Sequence, residues 1–289
     1  MLTSTVTDTV FNFVDKFVPQ WFEKNNKEPL IIYISGPQGS GKTYTTTKLY
    51  EHLLKKYGYS HSIAHMSLDD FYLTHDDQLK INKQYSHNKL LQGRGLPGTH
   101  DIPLLNQVLQ NILQSRNDEN DADYISIPRY DKSKYNGEGD RSDIVVQCKT
   151  PVDICIIEGW FLGFTPLLST DDEDLLLNGD MIDINAKLFT YSDLLWNNPE
   201  INSLGIVFAT NDISNVYEWR KQQEHATIKE KGNGMTDEQV IKFVDRYMPC
   251  YKLYYDNFVH GERLGSVATL TLGIDINRNL HYTKTRCIE

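Results

Sequence analysis

The chain has 289 residues, 39% hydrophobic and 24% charged, which suits one large α/β domain or two small ones. Its formal net charge of −10 argues against a broad nucleic-acid-binding surface, though not against a local basic pocket. The cysteines Cys148, Cys155, Cys250 and Cys287 show no paired spacing and read as reduced thiols, so a cytoplasmic setting is expected.

Residues 1–28 begin with an apolar pattern at helical spacing: Val10, Phe11, Phe13, Val14, Phe17 and Val18. Asp8 and Asp15 interrupt it and no basic flank precedes it. The segment is therefore expected to be an amphipathic helix packed on the domain, not a secretory leader or a membrane anchor. No run is long enough to span a bilayer. Apolar β-type runs follow at 30–34, 62–66, 124–127, 152–157, 204–209 and 267–272. Between them, Leu49, Tyr50, Leu53, Leu54 and Tyr57 mark one helix, with Gly58 placed to end it. Leu104, Leu105, Val108, Leu109 and Ile112 mark another, with Asp101 as its N-cap. Several strands are apolar nearly throughout, as central strands covered on both faces should be. The alternation predicts a three-layer α/β fold with a mainly parallel central sheet and helices on both faces.

Two stretches break the rhythm. Residues 78–100 and 128–150 are polar, and loops of that length in a compact domain usually serve function. A third stretch, 169–180, is acidic and reads as a solvated insertion with no catalytic role. With no repeat and no convincing linker, residues 1–289 are expected to form one domain with insertions. The sequence carries no mark of oligomeric state.

Residues 34–45 read ISGPQGSGKTYT. Gly36, Gly39, Gly41, Lys42 and Thr43 satisfy the G-x-x-x-x-G-K-[ST] phosphate-binding pattern, between an apolar strand and a helix as that loop requires. Glycines let the backbone N–H groups of the 36–43 loop, Gln38 and Ser40 among them, turn toward an anion past Pro37, which has no N–H of its own, and the helix N-terminus adds partial positive charge. Lys42 is placed to reach the β- and γ-phosphates and Thr43 to ligate Mg²⁺. A plain strand-to-helix turn explains the glycines but not the Lys-Thr at that offset. ATP or GTP binding follows; the reaction does not.

Two strand ends supply acids. SLDDFY at 67–72 follows the second strand, and carboxylates there face the crevice where open α/β sheets bind ligands. Asp69 is the candidate base for an acceptor hydroxyl; Asp70 serves either the metal or the cap of the following turn. CIIEGW at 155–160 ends a buried strand at Glu158, the candidate partner of Mg²⁺.

The loop GPQGSGKT, the element Ser67-Leu68-Asp69-Asp70-Phe71-Tyr72 and the strand end Ile156-Ile157-Glu158-Gly159 together resemble the P-loop kinases of the phosphoribulokinase, uridine kinase and pantothenate kinase superfamily. RGLPGTHD at 94–101, IPRYDKSKYNGEGDR at 127–141, EGWFLGF at 158–164, WRKQQE at 219–224 and GMTDEQVIKFVDRYMPCYKLY at 234–254 resemble the D-glycerate 3-kinase branch. The likeness runs from residue 30 to the end of the chain. After Pro128-Arg129-Tyr130-Asp131 there is no histidine of the kind the uridine kinase type often carries, which speaks against a nucleoside acceptor.

The resemblance implies a P-loop fold with a helical lid and its following helix at 212–256. It also implies that 78–100 and 128–150 lie on the acceptor side. It favours Asp69 over Asp70 as base. Asp69, Tyr72, Arg129, Tyr130 and Arg141 are the expected substrate-binding set, with Arg129 and Arg141 chosen from the basic side chains of the two polar stretches. Arg94, Arg129, Lys132 and Arg141 bring basic side chains to the two polar stretches, and arginine grips a carboxylate in two-point fashion, so a small anionic acceptor is expected. Arg220 is the expected charge-neutralising residue of the lid, against the reading of a solvated basic helix face. Asn277 and Arg278 are expected near the adenine. Thr236 and Gln239 form a capping box for the next helix, which Pro249 is expected to kink; Arg246 reaches phosphate or pairs with an acid. The expected activity is ATP- and Mg²⁺-dependent phosphorylation of a small acceptor, D-glycerate or a similar hydroxy acid. The alternatives are a kinase for a nucleoside, pantothenate or a sugar phosphate, and an ATP-binding regulatory protein with no metabolite acceptor. Neither a nucleic acid nor a membrane is expected as partner.

Overall fold

A computed structural model describes residues 5–24, 28–116, 123–168, 179–232 and 234–287. Of the acidic stretch 169–180, all but the last two residues lie outside these. Six strands form one sheet: β1 (Leu30–Ser35), β2 (Ser62–Ser67), β5 (Val152–Gly159), β6 (Ser203–Ala209), β7 (Ala268–Ile274) and β8 (Leu280–Cys287), in the order β2-β5-β1-β6-β7-β8. All neighbours are parallel except β7 and β8. β1, β5, β6 and β7 are buried at every residue, which is why they read as mostly apolar runs. β8 is different. Its sequence LHYTKTRC leaves polar groups facing solvent along an antiparallel edge, so it carries no apolar run that marks it in the sequence.

Helices cover the sheet. α1 (Val6–Lys24) buries Val10, Phe13, Val14 and Val18 and lies against α2 (Lys42–Tyr57). Phe11 stacks on His52 at 4.2 Å, and Asp15 accepts from His52 at 2.9 Å and pairs with Lys56 at 2.8 Å. Among the described residues no helix is long and apolar enough to cross a membrane. α4 (Ile102–Leu113) begins at Asp101, whose carboxylate accepts from the Leu104 amide at 3.0 Å, as its position suggests.

Several expectations are corrected. The 124–127 run does not join the main sheet. It opens β3 (Tyr124–Asp131), which pairs antiparallel with β4 (Asp140–Lys149) in a separate ribbon. Only one side of this ribbon is covered, so its strands tolerate the polarity that made 128–150 look like a loop. Residues 78–100 hold most of α3 (His75–Gln84) and a 3₁₀ turn at Lys89–Leu91 before a compact loop. The helix α5 (Asp180–Leu194) has no counterpart among the expected elements; Met181, Ile184, Leu188 and Tyr191 are its core face. Thr236 and Gln239 do form a capping box. Pro249, however, sits in the first turn of a new helix, α8 (Met248–Gly261), and does not kink α7 (Asp237–Asp245). A first-turn proline lacks only an N–H that would be unpaired there anyway. α6 (Asn215–Lys231) packs on α7.

Candidate active site

Parallel pairing sets three chain segments side by side. β5 lies between β1 and β2, with Ile34 opposite Glu158 on one side and Ser67 opposite Glu158 on the other. The C-terminal ends of these strands therefore bring the 36–43 loop, Glu158 and the Ser67–Tyr72 turn together at one edge of the sheet.

The loop turns through Gly36 to Ser40 and enters α2 at Lys42, with Gly41 as N-cap at φ 97°. Gly39 has φ 79°, and a β-carbon there would stand 2.5 Å from Cβ of Trp219. The loop thus packs directly on α6, and only glycine permits that approach. Trp219 is fully buried and donates from Nε1 to the Ile276 carbonyl at 2.6 Å. Arg278 stacks over Trp219 and donates from Nε to the Gly39 carbonyl at 2.7 Å and from Nη1 to Gln222 at 2.8 Å. Asn277 is exposed in the same turn. On the other flank the Gln38 amide donates to the Tyr251 hydroxyl at 3.1 Å. Trp219 and Tyr251 support the loop, yet the sequence gives no cue to either beyond their aromaticity.

Lys42 folds back over the loop and donates to the Pro37 carbonyl at 3.1 Å. Burial lowers its pKa, and the charges of Glu158 and Asp69 work against that. Thr43 donates to Glu158 Oε1 at 3.1 Å. Glu158 is buried, and its other oxygen, Oε2, has no hydrogen-bond partner. Burial raises its pKa and Lys42 opposes the rise. A hydroxyl and a buried carboxylate with an unpartnered oxygen, beside a phosphate loop, make a donor set that fits a hard divalent cation.

The Ser67–Tyr72 turn separates the roles of its two acids. Asp70 accepts from the Ser67 amide at 2.9 Å and Ser67 Oγ accepts from the Asp69 amide at 3.2 Å. Asp70 is therefore the cap of this turn, one of the two readings open for it. Asp69 points elsewhere: Oδ1 accepts from the Tyr72 hydroxyl at 2.8 Å and Oδ2 from Lys132 at 2.5 Å. Burial resists its charge, but Lys132 and then the Tyr72 hydroxyl prevail, and its pKa is pulled down to about 2. Tyr72 lies against His100 at 4.5 Å and edge-on to Tyr130 at 5.3 Å.

The two arginines selected from the sequence are both engaged by carboxylates. Arg129 pairs with Asp70 at 2.9 Å and also donates to the carbonyls of Pro128 and His65. Arg141 pairs with Asp101 at 2.8 Å and reaches the Tyr72 carbonyl. These guanidiniums hold the β3–β4 ribbon onto the Ser67–Asp101 region. Lys132, not chosen from the sequence, is the cation that meets Asp69. Arg94 stacks over Tyr130 and donates to the carbonyls of Gly137 and Glu138 at the ribbon's turn.

Arg220 lies on α6 over the Phe243 ring, beside Gln223 and 3.8 Å from Glu224, and its buried Nε has no partner. Burial lowers its pKa against the pull of Glu224, Tyr247 and Tyr251. Among the described residues Arg246 meets no acid: its Nη2 donates to the carbonyls of Gly93 at 2.9 Å, Arg94 at 3.1 Å and Leu90 at 3.4 Å. It ties the α7–α8 junction to the loop that carries Arg94.

No family model matches the chain. Individual relatives do. It is 61% identical to the probable ATP-dependent kinase TDA10 of Saccharomyces cerevisiae, over 99% of both chains. It is 35% identical to the chloroplastic D-glycerate 3-kinase of Arabidopsis thaliana, over 86% of this chain and 53% of that one. The solved structure of D-glycerate 3-kinase from Cryptococcus neoformans superposes with a TM-score of 0.84 at 36% identity, covering 97% of this chain and 99% of the other. A phosphate loop, the acids at two adjacent strand ends and whole-length likeness to named kinases lead to one family: the chain belongs to the ATP-dependent P-loop kinases that include TDA10 and the D-glycerate 3-kinases.

Proposed function

We propose that this kinase transfers the γ-phosphoryl group of ATP to a hydroxyl of a small hydroxy acid, D-glycerate or a close analogue. The observation that carries the reading is the Asp69 carboxylate. It is held by Tyr72 and Lys132 and lies close enough to Lys42 for their charges to interact, so an acceptor-side acid and a donor-side cation share one site. Amides of the 36–43 loop and Lys42 bind the phosphates. Thr43 and Glu158 are the residues that would hold Mg²⁺, which when bound offsets phosphate charge. Asp69 orients the acceptor hydroxyl and takes its proton as the oxygen bonds to the γ-phosphorus. The bond to the β–γ bridging oxygen breaks, and ADP leaves. Tyr72 fixes the carboxylate's orientation. Residues 212–256 serve as the lid and its following helix, with Arg220 as the charge-neutralising group of the lid, and Asn277 and Arg278 flank the adenine end. The whole chain acts as one domain. The anionic acceptor is supported by Lys132 and Arg94 on the acceptor side and by the names of the D-glycerate 3-kinases to which the chain is similar.

The test is ADP release with Mg²⁺-ATP across a panel of hydroxy acids, uridine, pantothenate and sugar phosphates. Release stimulated most by a hydroxy acid is expected. Preference for a nucleoside or pantothenate, or hydrolysis indifferent to every acceptor, would contradict the proposal.

A further inference from the structure

In this structure both oxygens of Asp69 are already taken, one by the Tyr72 hydroxyl at 2.8 Å and one by the Lys132 ammonium at 2.5 Å. A carboxylate locked to an ammonium at that distance is a poor acceptor for a hydroxyl proton, because its charge is already neutralised. The lock is movable. Lys132 follows directly on the end of β3, and its side chain keeps 56% of its surface exposed on a flexible four-carbon stem. Asp69 is the anion that draws it most strongly, whereas Arg94 repels it. Arg94 is itself anchored on the Gly137 and Glu138 carbonyls and over Tyr130, so it stays on that side. Two cations, one fixed and one mobile, therefore border the space beside the base.

We propose that Lys132 is the specificity-determining cation of the acceptor side, masking Asp69 until an acceptor's carboxylate draws its ammonium away. An acid acceptor supplies the competing anion, frees Asp69 Oδ2 and brings its own hydroxyl to it. A neutral polyol or amide of the same shape supplies no such anion and meets a masked base. Selectivity for acids is then built into the base itself as well as into binding. This inference rests on the hydroxy-acid reading above.

The experiment compares kcat/KM for D-glycerate and its neutral amide, D-glyceramide, in the wild type, Lys132→Met and Lys132→Arg, with ADP affinity as the check on fold. In Lys132→Met the acid is expected to lose about 100-fold, the size of effect seen when one partner of a charge pair is removed. The amide is expected to gain several-fold, because the mask is gone. Lys132→Arg should keep most of the preference for the acid. Equal losses on both acceptors would show a merely structural lysine and overturn the inference. So would an unchanged acid-to-amide ratio. If Lys132→Met fails to bind ADP, Lys132→Arg decides: loss of its acid preference with ADP binding intact overturns the proposal. A wild type that turns over no hydroxy acid at all sinks the hydroxy-acid reading first, and is distinguished from the other outcomes by that alone.

Discussion

Asp69 holds a position that two neighbouring side chains define, which makes its replacement informative. Asp69→Asn keeps the shape and the Tyr72 contact but cannot take a proton. Transfer should fall by about 10²- to 10⁴-fold while ADP affinity stays within about twofold, measured by steady-state kinetics and calorimetric titration. Gly39 tests the loop's support. A β-carbon there meets Trp219 at 2.5 Å from a residue at φ 79°. Gly39→Ala should cost about 2–4 kcal/mol in urea unfolding and weaken ATP binding as well. At this scale the sequence was legible wherever chemistry demands a residue type at a fixed offset: Lys42 and Thr43 in the loop, Glu158 at a strand end. For Arg129 and Arg141 it showed the residue type and not the partner. Composition can place arginines in a polar segment, but which carboxylate each one meets depends on the pairing of β3 with β4 and its seat on the Ser67–Asp101 region.

Among the elements, the α7–α8 junction reaches across to the acceptor loop through Arg246 and its three carbonyl contacts. Arg246→Met removes the donors but keeps much of the stem. It should raise KM for the acceptor several-fold more than KM for ATP, because the loop carrying Arg94 loses its tie while the 36–43 loop keeps Trp219 and Tyr251. Equal changes in both KM values would argue against that coupling. The elements that could be read in advance are those buried on both faces or marked by caps: β1, β5, β6, β7, the start of α4 at Asp101 and the capping box of α7. The β3–β4 ribbon was hidden because it is half exposed and its polar residues lie on pairing strands. β8 was hidden because an edge strand needs no apolar run. Pro249 was misplaced because a proline in a helical pattern can equally begin a second helix.

Across the whole molecule, the buried His100 and the half-buried His65 make stability depend on pH. Burial pushes both His65 and His100 down to about 4, from an ordinary value of 6.5. Both are neutral in the fold near pH 5, whereas the unfolded chain takes up protons below about 6.5. Stability is therefore complete above that value and lost as pH falls from about 6.5 toward 4. At pH 5 each histidine should cost about 2 kcal/mol by linkage. Urea unfolding at pH 7 and pH 5 measures the difference, and His100→Gln should shrink it. The parallel order that puts β5 between β1 and β2 is also a whole-molecule property. The motifs named the donor loop and the two acids, but only the sheet order sets them side by side.

The most direct test follows the phosphoryl group itself. Phosphorus NMR of the wild type with Mg²⁺-ATP and D-glycerate should show a new phosphate monoester growing in step with ADP, and Asp69→Asn should leave that signal absent over the same time. A wild type that forms ADP without any ester, or an Asp69→Asn variant that forms the ester at the wild-type rate, would contradict the account.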